Sequence, residues 1–335
     1  MTAIEVKYNQ VVASGHKIGN PKNTESVCAD GRGYYRHFEG GSIFWNGQPS
    51  APAFLVYGLI LAKWSALGWE RSRLGYPTTD ETAAGSGNGS RYNNFQNGII
   101  MWKGNSPEAF AIYGTIYQKW AEQGYDVGGF GLPTSDDTMC ADGKGHYGHF
   151  DGGSIFWNGQ PGTPPYLIYG LIRAKWFALG WERGSLGYPT SDETDAGSGK
   201  GSRYNRCQNG IVMWKGGTSE AFAISGAIYQ KWAEEGYDIG SLGLPISDQT
   251  LCTDGKGYYS HFDGGTILWN GQSGTLPYLM GRREFDVKFY LASYGDLQTA
   301  FGTTDRAALD HWVNYGLNEG RRGSREFDVQ FYLTT

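Results

Sequence analysis

Apolar residues in this chain fall first into a helical rhythm and then into an alternating one. In YGLILAKWSALGW, Leu59, Ile60, Lys63, Trp64 and Leu67 stand at helical spacing and Gly68 follows as a stop, which predicts a helix of about three turns. A proline turn comes next, LGYPTTDET at 74–82. Beyond it, SRYNNFQNGIIMW sets two aromatic-rich runs on either side of Gln96-Asn97-Gly98. Asn-Gly between alternating apolar residues predicts a β-hairpin, because both positions tolerate positive φ. The unit is helix, turn, hairpin, and it is too small to bury its own aromatic side chains without neighbours.

The same words return. GFGLPTSDDT at 129–138, LGYPTSDET at 186–194 and LGLPISDQT at 242–250 put Pro77, Pro133, Pro189 and Pro245 at steps of 56, and one step back lands on Pro21 in HKIGNPKNTE. Tyr8, Trp64, Trp120, Trp176 and Trp232 keep that step. Trp45, Trp102, Trp157, Trp214 and Trp269 alternate between 57 and 55, so the larger period is 112. Odd units read DGxGxYxHFxGG(S/T)IxWNGQ and even units GSGxGSRYNxxQNGIxMWKG. Five units result, about 4–58, 59–114, 115–170, 171–226 and 227–281, the first being the degenerate copy. An open array needs atypical caps, and the fifth unit is as regular as those before it. The expected fold is therefore an α+β tandem repeat whose five helix-turn-hairpin units close into a propeller-like ring of pseudo-five-fold symmetry.

After Gly281 the rhythm stops. Phe285, Phe289, Tyr290, Tyr294 and Leu297, then Ala308, Leu309, Trp312 and Tyr315, follow helical spacing, so 282–335 reads as a small helical appendage to the repeats of 1–280. REFDVKFYL at 283–291 returns as REFDVQFYL at 325–333, a truncated second copy whose outlet is docking on the ring or on another chain, a route to a homodimer.

Composition narrows the function classes. Gly accounts for 53 residues without a G-X-Y period, and aromatics for 15%, a pairing that fits tight turns around large core side chains and not a disordered chain. A net charge of −5 with no Lys/Arg stripe leaves no footprint for a phosphate backbone, so nucleic acid is not an expected partner. The longest apolar run, near 54–62, falls short of the ~20 residues that span a bilayer, and no charged-then-apolar leader precedes it. Membrane insertion is not expected, and cytoplasmic residence or non-classical export stay open. Cys28, Cys140, Cys207 and Cys252 lie far apart and three share one repeat position, which fits free thiols better than a disulfide framework or a CxxC metal site.

LGYPTTDE, FGLPTSDD, LGYPTSDE and LGLPISDQ, each followed about 20 residues later by a Y..F..G.I.W pattern, resemble the LGFP repeat family over residues 4 to about 280. The first unit, with IGNPKNTE, departs from the pattern and lacks the acidic Asp. The resemblance implies a propeller-like five-fold arrangement. It also implies attachment to surface polysaccharide, the role taken for such modules where they are appended to actinobacterial cell-wall enzymes. No catalytic domain is expected beside the repeats, which makes the binding module the expected whole of the protein. The tail, FDVKFYLASYGDLQTAFG to HWVNYGLNEGR, is similar to a short module found beside secreted and surface repeats in microbes.

The chemistry offered by the repeats is that of a binding surface. Leu-Gly-x-Pro is first a structural corner, with Gly supplying an unusual φ and Pro fixing the next. Asp80, Asp136, Asp192 and Asp248 after it are caps for backbone donors or acceptors for a ligand's hydroxyls. Glycoside hydrolysis needs two carboxyls in different environments across one bond, and near-identical copies lack that asymmetry. His37, His149 and His261 share one position that holds Asn94 and Arg206 in the even units; copies 112 residues apart do not converge on one metal ion. GKGHYG at 143–148 matches GxGxxG, but its equivalents lose the last Gly and no βαβ context surrounds it. The helix tryptophans are core. The hairpin-end tryptophans, Trp45, Trp102, Trp157, Trp214 and Trp269, meet solvent beside polar groups such as Arg91 and Arg203, and a sugar ring asks for an aromatic platform with a few placed donors and acceptors. The expectation is a non-catalytic, multivalent, lectin-like protein that binds glycans or cell-surface polysaccharide, without cofactor or metal. The alternative is a protein-binding scaffold, inhibitor or toxin component.

Overall fold

The computed structural model describes residues 1–252, 255–281, 284–302 and 305–327. Helices α1 (Ala3–Ala13), α2 (Gly58–Leu67), α3 (Gly114–Glu122), α4 (Gly170–Ala178) and α5 (Gly226–Glu234) head the five repeats. The first is closed by a capping box in which Thr2 accepts from the Glu5 amide and the Glu5 side chain takes the Thr2 amide. The other four stop at a glycine in the left-handed region, Gly68, Gly124, Gly180 and Gly236, with φ of 98°, 87°, 96° and 92°. Each buries the Ile and Trp of its apolar face: Ile60 and Trp64, Ile116 and Trp120, Ile172 and Trp176, Ile228 and Trp232. A single 3-10 turn follows, Trp69–Arg71 in the second repeat and Tyr237–Ile239 in the fifth.

Among the described residues each repeat then forms a four-stranded antiparallel meander with strands in sequence order. In the second repeat these are Thr82–Ala83, Arg91–Phe95, Gly98–Trp102 and Ala109–Tyr113. The central hairpin pairs Phe95 with Gly98 and Arg91 with Trp102, as the alternation predicts. Its turn differs from the expectation. Gln96 and Asn97 make the turn, Gly98 opens the next strand, and neither Asn97 nor Gly98 has positive φ. Gly98 is needed for room: a Cβ there would lie 2.3 Å from the Ile112 carbonyl oxygen, and one on Gly210 2.1 Å from that of Ile224. The unit is thus larger than helix, turn and hairpin. The outer strands escaped notice because one is two residues long and the other, AFAIY, is too short for its period to show.

The chain divides into two compact units, residues 1–170 and 171–335. In the first, α3 lies between the second and third sheets, with Ile116 and Trp120 packed against Ile99, Met101 and Ile112 on one side and Phe130, Phe150 and Ile155 on the other. Likewise α2 joins the first and second sheets, and in the second unit α5 joins the fourth and fifth. A core shared by two repeats explains why one repeat does not fold alone. The Leu-Gly-x-Pro corner is the joint: Leu74 and Tyr76 are buried, Gly75 has φ 74°, and Pro77 bridges to Phe95. The Tyr76 hydroxyl donates to Asp30 Oδ1 at 2.6 Å and accepts from the Gly33 amide at 3.1 Å, tying the second repeat to the first.

The tail is helical, as its spacing predicts: α6 (Val287–Ser293), α7 (Gly295–Phe301) and α8 (Asp305–His311), running into a wide π turn at Trp312–Gly316. Tyr290, Leu297 and Trp312 bury themselves with Tyr259 and Met280 of the fifth sheet. The tail therefore covers one face of that sheet, and the atypical cap that the repeats themselves do not carry is supplied here. Of the second REFDV copy, Phe327 packs on Trp312 with ring centroids 6.0 Å apart, and residues 328–335 lie outside the described residues. Among the described residues no helix is long and apolar enough to cross a membrane.

Candidate functional site

The fold itself uses most of the polar side chains that follow the corner. Lys7 donates to Asp80 Oδ2 at 2.7 Å while the Leu55 amide donates to Oδ1 at 2.8 Å. Lys63 and the Ala111 amide engage Asp136 at 2.9 and 2.8 Å, and Lys175 and the Ala223 amide engage Asp248 at 2.8 and 2.9 Å. In each case one carboxylate oxygen answers a helix ammonium and the other a strand N–H, so these three aspartates are joints between repeats and not free acceptors. At Asp192 the backbone carbonyl accepts from the Thr194 hydroxyl at 2.9 Å.

Arg91 and Arg203 brace the first two strands of their sheets. Nε donates to Glu81 at 2.7 Å and to Glu193 at 2.9 Å, and a terminal nitrogen reaches the carbonyl of the same glutamate at 3.1 and 3.2 Å. Arg203 pairs with Asp195 as well. The third repeat replaces this pair by Asp137 and His146, 2.8 Å apart, with Arg73 3.2 Å from the other ring nitrogen. Burial pushes the Asp137 carboxyl up to about 8.

The hairpin tryptophans spend their N–H groups on their own loops. Trp45, Trp102, Trp157, Trp214 and Trp269 donate to the carbonyls of Ala51, Ser106, Thr163, Thr218 and Thr275 at 2.8 to 3.2 Å. Their rings are partly buried, with Trp45 stacked on Tyr34 at 5.8 Å and Trp269 on Tyr258 at 6.1 Å. Trp269 also lines a cleft of about 690 Å³ beside the tail, together with Asn270, Gln272, Asn314 and Asn318.

The histidines line a different space. Nδ1 of His37, His149 and His261 lies 2.7, 2.7 and 2.8 Å from the hydroxyls of Ser42, Ser154 and Thr266, which are 2%, 0% and 1% exposed. A hydroxyl so enclosed satisfies its proton by donating to Nδ1, which leaves Nε2 as the N–H donor. Burial first, and the charge of Lys22 second, hold His37 below the usual imidazole range.

His37 opens into a groove of about 260 Å³ between the first sheet and the 3-10 turn of the second repeat, lined by Val27, Tyr35, Phe44, Trp69 and Glu70. The groove recurs in the second unit as a cavity of about 210 Å³ lined by Tyr204, Arg206, Met213, Tyr237 and Asp238. The residue at the wall of these two grooves, Trp69 or Tyr237, is an aromatic in the left-handed region with φ of 58° and 56°, and Tyr125 and Trp181 at the same repeat position have φ of 54° and 57°. Such a backbone costs roughly 1 kcal/mol for a non-glycine residue. The next residue pins it: Glu70 accepts from the Asp30 amide at 3.2 Å, Asp126 from Ser86 at 2.7 Å, and Asp238 from Ser198 at 2.6 Å. Trp69 is held 5.8 Å from His37, and Tyr237 lies under the Arg206 guanidinium at 5.6 Å.

Sequence reasoning passed over Trp69, Glu70, Tyr35, Tyr204, Tyr237 and Asp238. The available signal was GWE or GYD beginning at the helix-stop glycine and alternating with period 112, as the histidines of the odd units do. Among the described residues no group of His, Cys, Asp and Glu gathers to hold a metal ion.

A family model described as LGFP repeat matches residues 18–72, 74–128, 130–184, 186–240 and 242–281. Its copies start at the corner, one helix later than units of about 4–58 to 227–281. No curated protein sequence matches the chain. Among solved structures, it is similar to the extracellular domains of two component system proteins BT4673 and BT3049 from B. thetaiotaomicron, each at 11% identity and TM-score 0.15. Those matches cover 76% and 77% of this chain, and the chain spans only 27% and 28% of theirs. YCF48 from Cyanidioschyzon merolae matches at 10% identity and TM-score 0.14, over 79% of this chain and 71% of its own.

Proposed function

The chain belongs to the LGFP repeat family, and from that premise we propose that it is a non-catalytic, multivalent carbohydrate-binding protein whose sites are the grooves between successive repeats. The observation that carries this reading is the strained aromatic residue that walls each of two grooves, Trp69 facing Tyr35 and His37, and Tyr237 facing Tyr204 and Arg206. A pyranose has an apolar C–H face and a rim of hydroxyls, and an aromatic wall with a few donors and acceptors suits both. Backbone strain repeated at one position supports a use beyond packing. The two grooves differ at this position, His37 in one and Arg206 in the other, which makes them two classes of site. Trp269, with the side-chain amides of Gln272 and Asn318, offers a further seat of similar chemistry.

Single shallow grooves bind weakly, but linked ones raise avidity by ~10²–10⁴ on a surface that several can engage together. A closed five-fold ring is a proposal of its own: it requires the first helix to share the fifth sheet with the tail that already covers one of its faces. Small-angle scattering distinguishes a compact ring from an extended array.

A glycan array that includes microbial polysaccharides, with haemagglutination and its inhibition by free sugars, tests the function. Binding to a related set of glycans that Trp69→Ala and Tyr237→Ala each weaken is expected. Silence across the array overturns the reading. Exposed Val127 and Ile239, beside the groove turns, favour a protein-binding scaffold as the second reading. Stoichiometry separates them: several equivalents of a small sugar, or one of a protein.

A further inference from the structure

The fifth repeat carries an occupant of its own groove. Tyr259 and His261 have ring centroids 5.0 Å apart at 47°, matching Tyr35 and His37 at 4.7 Å and 51°, and Tyr147 and His149 at 4.8 Å and 41°. Asp310 of α8 enters this pair. Its Oδ1 accepts from the Tyr259 hydroxyl at 3.0 Å and from His261 Nε2 at 2.7 Å, so one carboxylate oxygen takes both donors. Asn314, one turn further along the tail, donates to the Tyr259 hydroxyl at 3.2 Å and completes the seat.

In the first repeat the same two donors stand in the same geometry and face the groove of about 260 Å³. Among the described residues no side chain hydrogen-bonds the Tyr35 hydroxyl or His37 Nε2. His37 and His261 carry the same tautomer, because the enclosed Ser42 and Thr266 hydroxyls each give their proton to Nδ1. Lys22 places a positive charge close enough to depress the His37 imidazole. Glu70 lines the same groove with one oxygen turned to the Asp30 amide, and its charge sets a cost that a carboxylate ligand has to overcome through the Tyr35 and His37 donors. In the fourth repeat Arg206 stands where His37 stands in the first, and a guanidinium is itself a carboxylate partner.

We infer that the Tyr35–His37 pair is a carboxylate seat, and that the ligand of this groove is an acidic glycan whose uronic-acid carboxylate takes the place that Asp310 holds in the fifth repeat. The inference rests on the carbohydrate reading above and names the class of sugar. Trp69, standing over the groove beside the carboxylate donors, supplies the platform for the ring of the same residue. An acidic peptide shares the carboxylate but has no ring to lay on that wall.

The test is calorimetric titration of the full chain with galacturonate, glucuronate and mannuronate oligosaccharides, each beside its methyl ester and a neutral oligosaccharide. At least one acid form is expected to bind about tenfold or more tighter than its ester. Tyr35→Phe, which removes one hydroxyl, and His37→Gln are each expected to weaken the acid form several-fold more than the ester, with the circular dichroism intact. Equal binding of acid and ester, or neutral glycans bound and uronates ignored, overturns the carboxylate seat and leaves the carbohydrate reading standing. Failure of every glycan overturns both. An acidic peptide bound through Tyr35 in place of any glycan overturns the assignment to sugars.

Discussion

Asp136→Ala separates the joint from the ligand site. The carboxylate bridges the Lys63 ammonium, on a side chain 17% exposed, and the amide of Ala111, which is wholly buried. Truncation orphans that amide, which costs ~1–3 kcal/mol. It also leaves Lys63 without its partner, worth about 1 kcal/mol at this exposure. The sum is about 2–4 kcal/mol. Asp136→Asn keeps an oxygen for the Ala111 amide and loses only the ionic part, about 1 kcal/mol. Urea unfolding followed by tryptophan fluorescence reads the difference, because α3 and its buried Trp120 belong to the same repeat boundary. Repeat proteins unfold in coupled steps, so the first transition is the one compared. An Asp136→Ala cost below about 0.5 kcal/mol, or an Asn variant as damaging as Ala, refutes the joint. Loss of glycan binding in Asp136→Asn at unchanged stability would return the residue to the ligand site.

Gly98→Ala forces a Cβ to 2.3 Å from the Ile112 carbonyl oxygen and is expected to cost about 1–3 kcal/mol in the same unfolding assay. A neutral variant would show that the strand can shift. Burial lifts the Asp137 carboxyl from the ordinary 3.8 to about 8. A raised folded value gives a stability contribution that is full at acid pH and drains away as pH climbs through about 8. Thermal unfolding is therefore expected at lower temperature at pH 9 than at pH 6, with Asp137→Gln, the residue type of Gln249, flattening that slope. An unchanged slope refutes it. Cys28 and Cys207 are buried with thiols pushed up to about 12, so neither is expected to react with iodoacetamide at pH 8 until urea is added, which mass spectrometry checks.

How much could be read in advance varied with the kind of signal. The helix over 58–67 announced itself, because Ile60, Trp64 and Gly68 satisfy a local period and a local stop. The hairpin did too, although Gly98 turned out to answer a carbonyl on a neighbouring strand and not a turn conformation. The aspartates were ambiguous for a physical reason: a side chain that caps a strand amide and one that binds a hydroxyl look alike until its partner, 25 residues away for Leu55 and Asp80, is known. Trp69 was passed over because it resembles the end of a helix. Its left-handed backbone, and the sheet it faces across the groove, belong to no window of sequence.

What the sequence determined by itself is the repeat: its number, its period of 112 in alternating units, its helix, its corner, and the aromatic residues that need a neighbour to be buried. These follow from local periodicity and from the insufficiency of one unit's core. Only the tertiary structure decided which polar groups remain for a ligand. It spent three aspartates on joints and two arginines on braces within their sheets, closed the fifth His–Tyr pair with Asp310, and left the first pair facing a groove. Hydrogen-bonding capacity is consumed pairwise across long separations, and a sequence read one residue at a time does not show which partner arrives first.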